Sequence, residues 1–289
     1  MKYIILGKSL KKGTIGNDSS DLSVYFELGW EVVGSRIDII NLLASENIDT
    51  NNTTLVTTQD RKFMYSKFFD KTISYEDFLN VKTTNDVIED WTISRNFRFL
   101  NAYNNFVDLD SKKYLHYDRD YDLIFNGYDI QNSTFNNQEE KFVVLALRYR
   151  EHNSHKNAYN NLFEELVRKI KSNITKNIFV VGYGSESFCN QNDCVYIDKL
   201  VDYVSLIKDK NCVTLISQST GTLCLALTSS ETHIQLIDHT RCSELNGDNA
   251  VLGGRCVHFF SNGISVHYDL NQNTIDNIFL KTQSLCLKK

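Results

Sequence analysis

The sequence has 289 residues, 42% of them hydrophobic and 23% charged, which is enough for one large globular domain or two of ordinary size. Its net charge of −5 disfavours nucleic-acid binding, because nucleic-acid-binding domains are usually basic, so a local basic cluster suggests a small anionic ligand instead. No apolar segment approaches the roughly 18 residues that a membrane-spanning helix needs. We expect a cytoplasmic protein, because its cysteines indicate a reducing environment.

The cysteines point to a reduced protein. There are seven, so they cannot all pair, and several lie in or beside apolar segments, where a thiol behaves as a small hydrophobic group. Cys189 and Cys194 form a close pair whose spacing could hold a metal. No second Cys/His pair at suitable spacing accompanies them, so we expect no zinc site.

The N-terminal half alternates predicted strands and helices. A short strand at Tyr3–Leu6 is followed by a glycine-rich loop that ends at Asp18, and then by a helix that Ser19, Ser20 or Asp21 could cap. The other predicted elements are strands at Trp30–Val33, Thr54–Thr57 and Leu123–Phe125, and helices at Arg36–Ala44, Tyr75–Leu79 and Phe97–Phe106. This succession indicates an α/β domain, which we assign to residues 1–138.

Asp118-Arg-Asp120 has the Asp-x-Asp form that metal-dependent sugar transferases use to hold a divalent cation on a diphosphate. Such a pair normally follows an apolar strand, and the preceding Lys112–Tyr117 is not one. Two acidic residues in an Asp-rich loop also occur as a plain solvated surface. We therefore predict no metal among the site residues.

A polar segment without periodicity, Asn132–Glu140, separates the two halves and is the candidate inter-domain linker. We assign residues 139–289 to a second α/β domain. The amphipathic segment Ile275–Leu280 predicts a C-terminal helix, which in this division is able to pack back on the N-terminal domain.

The second domain begins with a βαβ unit. Phe142–Leu147 is an unbroken apolar segment, typical of a strand buried on both faces. Leu162–Ile170 carries apolar residues at helical spacing, and Ile178–Val181 predicts a second strand that breaks at Gly182-Tyr-Gly184. The loop after the first strand contains a cluster of potential anion ligands, namely Arg148, Arg150, His152, His155 and Lys156. Ligands of parallel α/β sheets lie beyond the carboxyl ends of the strands, so this loop predicts an anion site.

A second polar cluster follows the predicted strand Cys212–Ile216. It consists of small residues that could hold phosphate through hydroxyl and backbone N–H groups at a helix N-terminus, namely Ser217, Ser219, Thr220, Gly221 and Thr222. A plain helix cap explains the same residues. The remaining predicted elements are strands at Cys194–Ile197, His233–Ile237, Val257–Phe260 and around Val266, and a helix at Leu200–Ile207.

These features resemble the nucleotide-sugar-binding domain of glycosyltransferases with the GT-B architecture. The resemblance rests on the strand-end arginines with Lys156-Asn157, the Gly182-Tyr-Gly184 turn, and Ser217-Gln-Ser-Thr-Gly221-Thr-Leu-Cys-Leu-Ala226. The last is similar to the Ser-Gly-x-x-x-x-Ala helix start of heptosyltransferase-like and fucosyltransferase-like members. In the N-terminal domain, Gly13-Thr-Ile-Gly16-Asn17-Asp18 resembles their acceptor-side Gly-x-Gly-Asp loop.

The resemblance implies two Rossmann-like domains facing each other across a cleft that holds the donor. It implies transfer of a hexosyl or deoxyhexosyl group from a nucleoside-diphosphate sugar to a hydroxyl acceptor such as a glycan, without a metal or a cofactor. The diphosphate would be bound by Arg148, Arg150, Lys156, Gly182, Gly184 and the Ser217–Thr222 cluster. Asp18 would be the catalytic base, with Gly16 and Asn17 in the acceptor-side loop.

Other interpretations of these residues remain open. Asp18 can equally be a helix N-cap, and Arg148, Arg150 and Lys156 can be solvated loop charges. The chain could also be a nucleotide-sugar epimerase or hydrolase on the same fold, or a non-catalytic nucleotide- or sugar-binding protein. A Gly-x-Gly turn without a third glycine is weak evidence for an NAD-dependent enzyme.

Overall fold

The chain divides into two compact units, Met1–Gln131 and Asn132–Lys289. The computed structural model describes residues 1–5, 36, 48–90, 127–149, 158, 160–182, 184–218, 221–226, 232–238, 263–268 and 270–289. Strands and helices of these residues are numbered here in chain order.

The first unit contains a parallel sheet. Its described strands are β1 (Lys2–Ile5), β2 (Thr53–Thr57), β3 (Thr72–Ser74) and β4 (Val87–Asp90). They lie in the order β3-β2-β1-β4, and every neighbouring pair is parallel. A 3₁₀ helix at Gln59–Met64 and helix α1 at Tyr75–Val81 belong to the same unit.

Helix α1 begins at a capping box and packs on the sheet. The Ser74 hydroxyl accepts the Asp77 N–H at 3.1 Å, and the Asp77 carboxylate accepts the Ser74 N–H at 3.4 Å. Phe78 is buried, and its ring lies 5.1 Å from that of Tyr3 on β1. The helix thus begins directly after β3 and packs on β2 and β3.

Arg36 is a fully buried arginine in the first unit. Its Nε donates to the Met64 carbonyl at 2.8 Å, and its guanidinium carbon lies 4.1 Å from the ring centroid of Tyr128 and 5.4 Å from that of Phe68. Cation–π contacts and a carbonyl acceptor stabilise a charge that would be costly to bury alone.

The described residues of the second unit form a six-stranded sheet in which every neighbouring pair is parallel. Its strands are β5 (Phe142–Ala146), β6 (Ile178–Val181), β7 (Val195–Ile197), β8 (Cys212–Gln218), β9 (His233–Asp238) and β10 (Ile264–Tyr268). They lie in the order β7-β6-β5-β8-β9-β10. The chain therefore moves outward from β5 in one direction and then returns to β8 on the other side of β5. The point between β5 and β8 is the topological switch point, where α/β sheets of this strand order bind ligands.

Helices cover this sheet. They are α2 (Asn160–Asn173), α3 (Glu186–Asn192), α4 (Leu200–Lys208), α5 (Gly221–Leu225) and α6 (Gln272–Lys288). The apolar face of α2 is buried through Phe163, Leu166, Val167 and Ile170, as its spacing predicts. Strand β5 is buried along its whole length, which explains its continuous apolar sequence.

The last helix, α6, packs on α2 and on strand β8 in the second unit. Ile275 and Ile278 are fully buried there, and Lys169 of α2 forms an ion pair with Asp276 of α6. These contacts give the helix a place in the core of the second unit.

The polar segment that we interpret as an inter-domain linker is held against α4. Asp202, which is buried, accepts the Ser133 hydroxyl at 2.8 Å and the Thr134 N–H at 2.7 Å. Asp209 accepts the Gln138 N–H at 2.8 Å. These bonds explain why Asn132–Gln138 groups with the second unit.

The structure confirms the predicted fold class, with two parallel α/β sheets. Strand β8 is longer than predicted and reaches Gln218, so placing Ser217 in a loop is wrong. Strands β3 and β4 and helix α3 are additional to the prediction. Several predicted elements lie outside the described residues, namely the helix after Asp18, the strands at 30–33, 123–125 and 257–260, and the helix at 97–106.

Candidate functional site

The predicted anion site lies at the topological switch point of the second unit. Arg148 follows the carboxyl end of β5, and Gln218 is the last residue of the neighbouring strand β8. The Arg148 N–H donates to the side-chain Oε1 of Gln218 at 2.8 Å. The structure therefore joins the loop after β5 directly to the end of β8.

The main chain of Arg148 is fixed on its other side as well. Its carbonyl oxygen accepts the Ala158 N–H at 2.9 Å, which brings the two ends of the predicted basic loop together. Arg148 itself is half-buried. The other predicted cations of this loop, Arg150 and Lys156, lie outside the described residues with His152 and His155.

Gly182 lets the strand ends approach closely. Its φ is +139°, and a Cβ at this position would lie 2.1 Å from the carbonyl oxygen of Leu147. The Leu147 N–H donates to the Val181 carbonyl at 2.9 Å, which keeps β5 in contact with the end of β6. The structural reason for this glycine is thus the backbone of the neighbouring strand.

Gly184 likewise leaves room for a neighbouring residue, Tyr149. Its φ is +77°, and a Cβ there would lie 3.2 Å from the Cβ of Tyr149. The Tyr149 hydroxyl donates to Asn160 Oδ1 at 2.7 Å. Burial raises the pKa of Tyr149 to about 12, with smaller contributions from Cys189 and Glu164, so the phenol remains a neutral donor.

The turn after β6 is closed by Ser185, which is fully buried. Its hydroxyl donates to the Gly182 carbonyl at 2.6 Å, and its N–H donates to the same oxygen at 3.2 Å. The turn is thus held by its own hydrogen bonds beside the Arg148 loop.

The predicted phosphate cluster after β8 is divided by the structure. Ser217 is a fully buried strand residue whose hydroxyl donates to the Gln218 carbonyl at 2.8 Å. Gly221 and Thr222 begin helix α5, and the Thr222 carbonyl accepts the Tyr203 hydroxyl at 3.0 Å. Ser219 and Thr220 lie outside the described residues.

The acceptor-side residues cannot be placed in this geometry. Asp18, Gly16 and Asn17 lie outside the described residues, as do Asp118 and Asp120. The catalytic role of Asp18 therefore stays a prediction.

Cys189, Cys194, Cys212 and Cys286 are free thiols. Burial raises the pKa of Cys189 to about 12 and that of Cys194 to about 11, so both are protonated at neutral pH. Within the described part of the chain, no three His, Cys, Asp or Glu side chains are grouped so that they could hold a metal ion. In the same residues, no helix has the length and apolar character needed to cross a membrane.

Comparison with known proteins identifies the architecture. Neither a protein-family model nor a curated protein sequence matches the chain. Among solved structures, it is similar to the E. coli ADP-heptose lps heptosyltransferase II, with a TM-score of 0.55 and 11% identity over 100% of this chain and 99% of that chain. The fold is that of the GT-B glycosyltransferases.

Two further GT-B structures match over nearly the whole length. The E. coli heptosyltransferase WaaC with ADP has a TM-score of 0.50 and 11% identity, covering 99% of this chain and 100% of that chain. The glycosyl transferase family 9 protein from Veillonella parvula DSM 2008 has a TM-score of 0.50 and 8% identity, covering 100% of this chain and 97% of that chain. At these identities the likeness establishes the fold of this GT-B-like chain.

The structure also places beside Arg148 residues that the sequence patterns did not single out. Gln218 lies inside the Ser217–Thr222 segment, but nothing in its sequence context distinguishes it from an ordinary strand-end residue. Tyr149 lies near the start of the basic loop, and its hydroxyl donates to Asn160 at the beginning of α2. Each was identifiable only from its position in the folded chain.

Proposed function

We propose that this chain is a glycosyltransferase that transfers a hexosyl or deoxyhexosyl group from a nucleoside-diphosphate sugar to an acceptor hydroxyl, without a metal ion or a cofactor. The observation that carries the proposal is the whole-chain GT-B fold with a half-buried arginine, Arg148, at the switch point of its second sheet. One similar structure is a heptosyltransferase with ADP, which supports a nucleoside diphosphate as the ligand class.

The donor site of the proposal lies in residues 139–289. Arg148 neutralises the diphosphate that leaves during transfer, because a planar guanidinium can bind two phosphate oxygens at once. The proposed diphosphate ligands also include Arg150, Lys156, Gly182, Gly184, Ser217, Ser219, Thr220, Gly221 and Thr222. Of these, Ser217 contributes least, because its buried hydroxyl already donates to a carbonyl.

The acceptor side of the proposal lies in residues 1–138. Asp18 removes the proton from the attacking hydroxyl, and Gly16 and Asn17 shape the loop that carries it. The acceptor is a glycan or another molecule with a free hydroxyl, and we further propose that the protein acts in the cytoplasm.

A thermal-shift screen tests the donor site. ADP, CDP, GDP, UDP, dTDP and their sugars are added to the wild type, to Arg148→Ala and to Arg168→Ala. We expect one nucleotide class to stabilise the wild type, by about 2.7 kcal/mol at a hundredfold excess over its Kd. Arg148→Ala should lose this stabilisation. Arg168→Ala should keep it, because Arg168 is an exposed residue of α2 outside the strand-end loops. If no nucleotide stabilises the wild type, the transferase proposal is wrong.

An activity assay separates the transferase from the alternatives. A transferase consumes the donor only when an acceptor is present, whereas an epimerase or hydrolase converts the nucleotide sugar alone. A binding protein shows a thermal shift without turnover. Asp18→Asn should abolish transfer while the thermal shift with the nucleotide persists, and unchanged transfer would exclude Asp18 as the base.

A further inference from the structure

Gln218 is a buried polar residue at the proposed donor site, with 1% of its surface exposed. Its side-chain oxygen accepts the N–H of Arg148 at 2.8 Å. Backbone groups normally satisfy each other between neighbouring strands, so a side chain in this position is unusual. It marks the place where the pairing of β8 with β5 has ended, while Gln218 still pairs with Ile237 of β9.

The direction of the Arg148 N–H follows from the ladder. Successive N–H groups along β5 point alternately to its two neighbouring strands. The Phe142 N–H points to the β8 side and donates to the Asn211 carbonyl at 3.1 Å. Arg148 lies an even number of residues further and therefore also faces β8. The last paired residues of the two strands are Ala146 and Ser217, so Arg148 extends beyond the end of the ladder. Beyond these last paired residues, the carboxamide of Gln218 supplies the acceptor for the Arg148 N–H.

The Arg148 main chain is consequently fixed by two bonds. Gln218 binds its N–H, and the Ala158 N–H binds its carbonyl oxygen. A long arginine side chain loses conformational entropy when it binds an anion, and a fixed backbone limits the further freedom that binding must remove. The same contact also joins the first proposed phosphate-binding loop to the start of the second.

We propose that Gln218 is a positioning residue that fixes the main chain of Arg148 at the switch point and thereby preorganises the Arg148 guanidinium for a nucleoside diphosphate. The inference rests on the proposed donor site. It concerns a residue that acts through Arg148 and does not itself bind the ligand.

Gln218→Met tests this role, because methionine has a similar length and no comparable acceptor. The affinity for each of ADP, CDP, GDP, UDP and dTDP is measured by titration calorimetry. For the nucleotide that binds the wild type, we expect the Kd to increase about tenfold, equivalent to about 1.4 kcal/mol.

Gln235→Met is the matched control. Gln235 is also a buried glutamine in a strand of the same sheet, and its side chain donates to Thr282 Oγ1 at 2.8 Å. This variant should lose thermal stability while its Kd remains that of the wild type. A comparable increase in Kd in both variants would show a general loss of stability and would overturn the positioning role.

A double-mutant cycle adds a readout that a purely structural role would not move. If Gln218 acts through Arg148, Gln218→Met should change the Kd less than twofold when Arg148 is already alanine. A full tenfold change in the Arg148→Ala background, or an unchanged Kd in Gln218→Met alone, would overturn the inference.

A milder variant covers the case in which Gln218→Met does not fold. Gln218→Asn keeps the amide but shortens the side chain by one methylene, so it should also raise the Kd and expose the Arg148 amide to faster hydrogen exchange. An unchanged exchange rate and Kd would contradict the proposal. If the wild type binds none of the nucleotides, the proposed function fails as well, and that result differs from a wild type that binds while the Gln218 variants bind equally well.

Discussion

Gly182 shows how closely the elements of the second unit approach each other at the level of a single residue. Its Cα faces the carbonyl oxygen of Leu147, and its φ of +139° lies in a region that L-residues rarely occupy. Both the close approach and the positive φ require glycine at this position.

Gly182→Ala should destabilise the protein by about 3 kcal/mol or more, because backbone strain and a clash with a main-chain atom add together. Urea unfolding measures the change in the free energy of unfolding. Gly184→Ala is the comparison. Its φ is also positive, but the nearest atom is a side-chain carbon of Tyr149 at 3.2 Å. We expect its cost to be smaller, about 1 kcal/mol, and equal costs in the two variants would contradict this explanation.

The sequence patterns predicted the environment of individual residues less completely than they predicted the strands and helices. The position of Arg148 beyond the end of a buried strand was predictable, because an unbroken apolar segment precedes it directly. Ser217 was wrongly placed in a loop, because its hydroxyl is satisfied locally by the Gln218 carbonyl and can therefore be buried in a strand. A pattern of polar residues does not reveal such a local hydrogen bond.

At the scale of elements, a polar cluster lies between strands β9 and β10 and helix α6. Gln235 of β9 donates to Thr282 of α6 at 2.8 Å, and His267 Nε2 of β10 lies 3.3 Å from Gln235 Oε1. His233 Nε2 lies 3.1 Å from the Ser265 hydroxyl in the same region. Because Gln235 and Thr282 are fully buried, these bonds help to define how α6 sits on the sheet.

His267 should make stability depend on pH. Desolvation lowers its pKa below the ordinary value, and the neighbouring His233 and Lys281 lower it further. Below the unfolded-state pKa of about 6.5, the unfolded chain therefore binds more protons than the folded chain. Stability should fall as the pH decreases from neutrality through the unfolded-state pKa toward the lower folded-state pKa, and then this contribution should level off.

His267→Gln tests the assignment, because glutamine keeps a donor for Gln235 without a titrating ring. Urea unfolding at pH 7.5, 6.5 and 5.5 should show a smaller loss of stability on acidification than in the wild type. The same loss in both proteins would show that another group carries the pH dependence.

At the scale of the molecule, the second unit has the features of an autonomous domain. Its six strands pair with one another, and α2 and α6 pack together beside them. The described residues of the proposed donor site, including Arg148, Gly182 and Gln218, all belong to this unit.

The fragment 132–289 should therefore fold and unfold cooperatively on its own, since the described strands of its sheet and its buried apolar cluster all lie within it. Thermal denaturation followed by circular dichroism measures this. The fragment should also be stabilised by the nucleotide that stabilises the whole chain, and Arg148→Ala in the fragment should remove that effect. A folded fragment that binds no nucleotide would show that the donor site needs residues 1–131.

The sequence by itself determined the fold class and most elements of the second unit, because the local spacing of apolar residues decides which segments become strands or helices. It also determined that a basic loop follows β5. The tertiary structure alone decided the strand order, the length of β8, and the contacts that Gln218 and Gly182 make. Those features depend on pairs of residues far apart in the chain, such as Arg148 with Gln218 and Gly182 with Leu147, and a local pattern carries no information about which distant backbone will lie beside it.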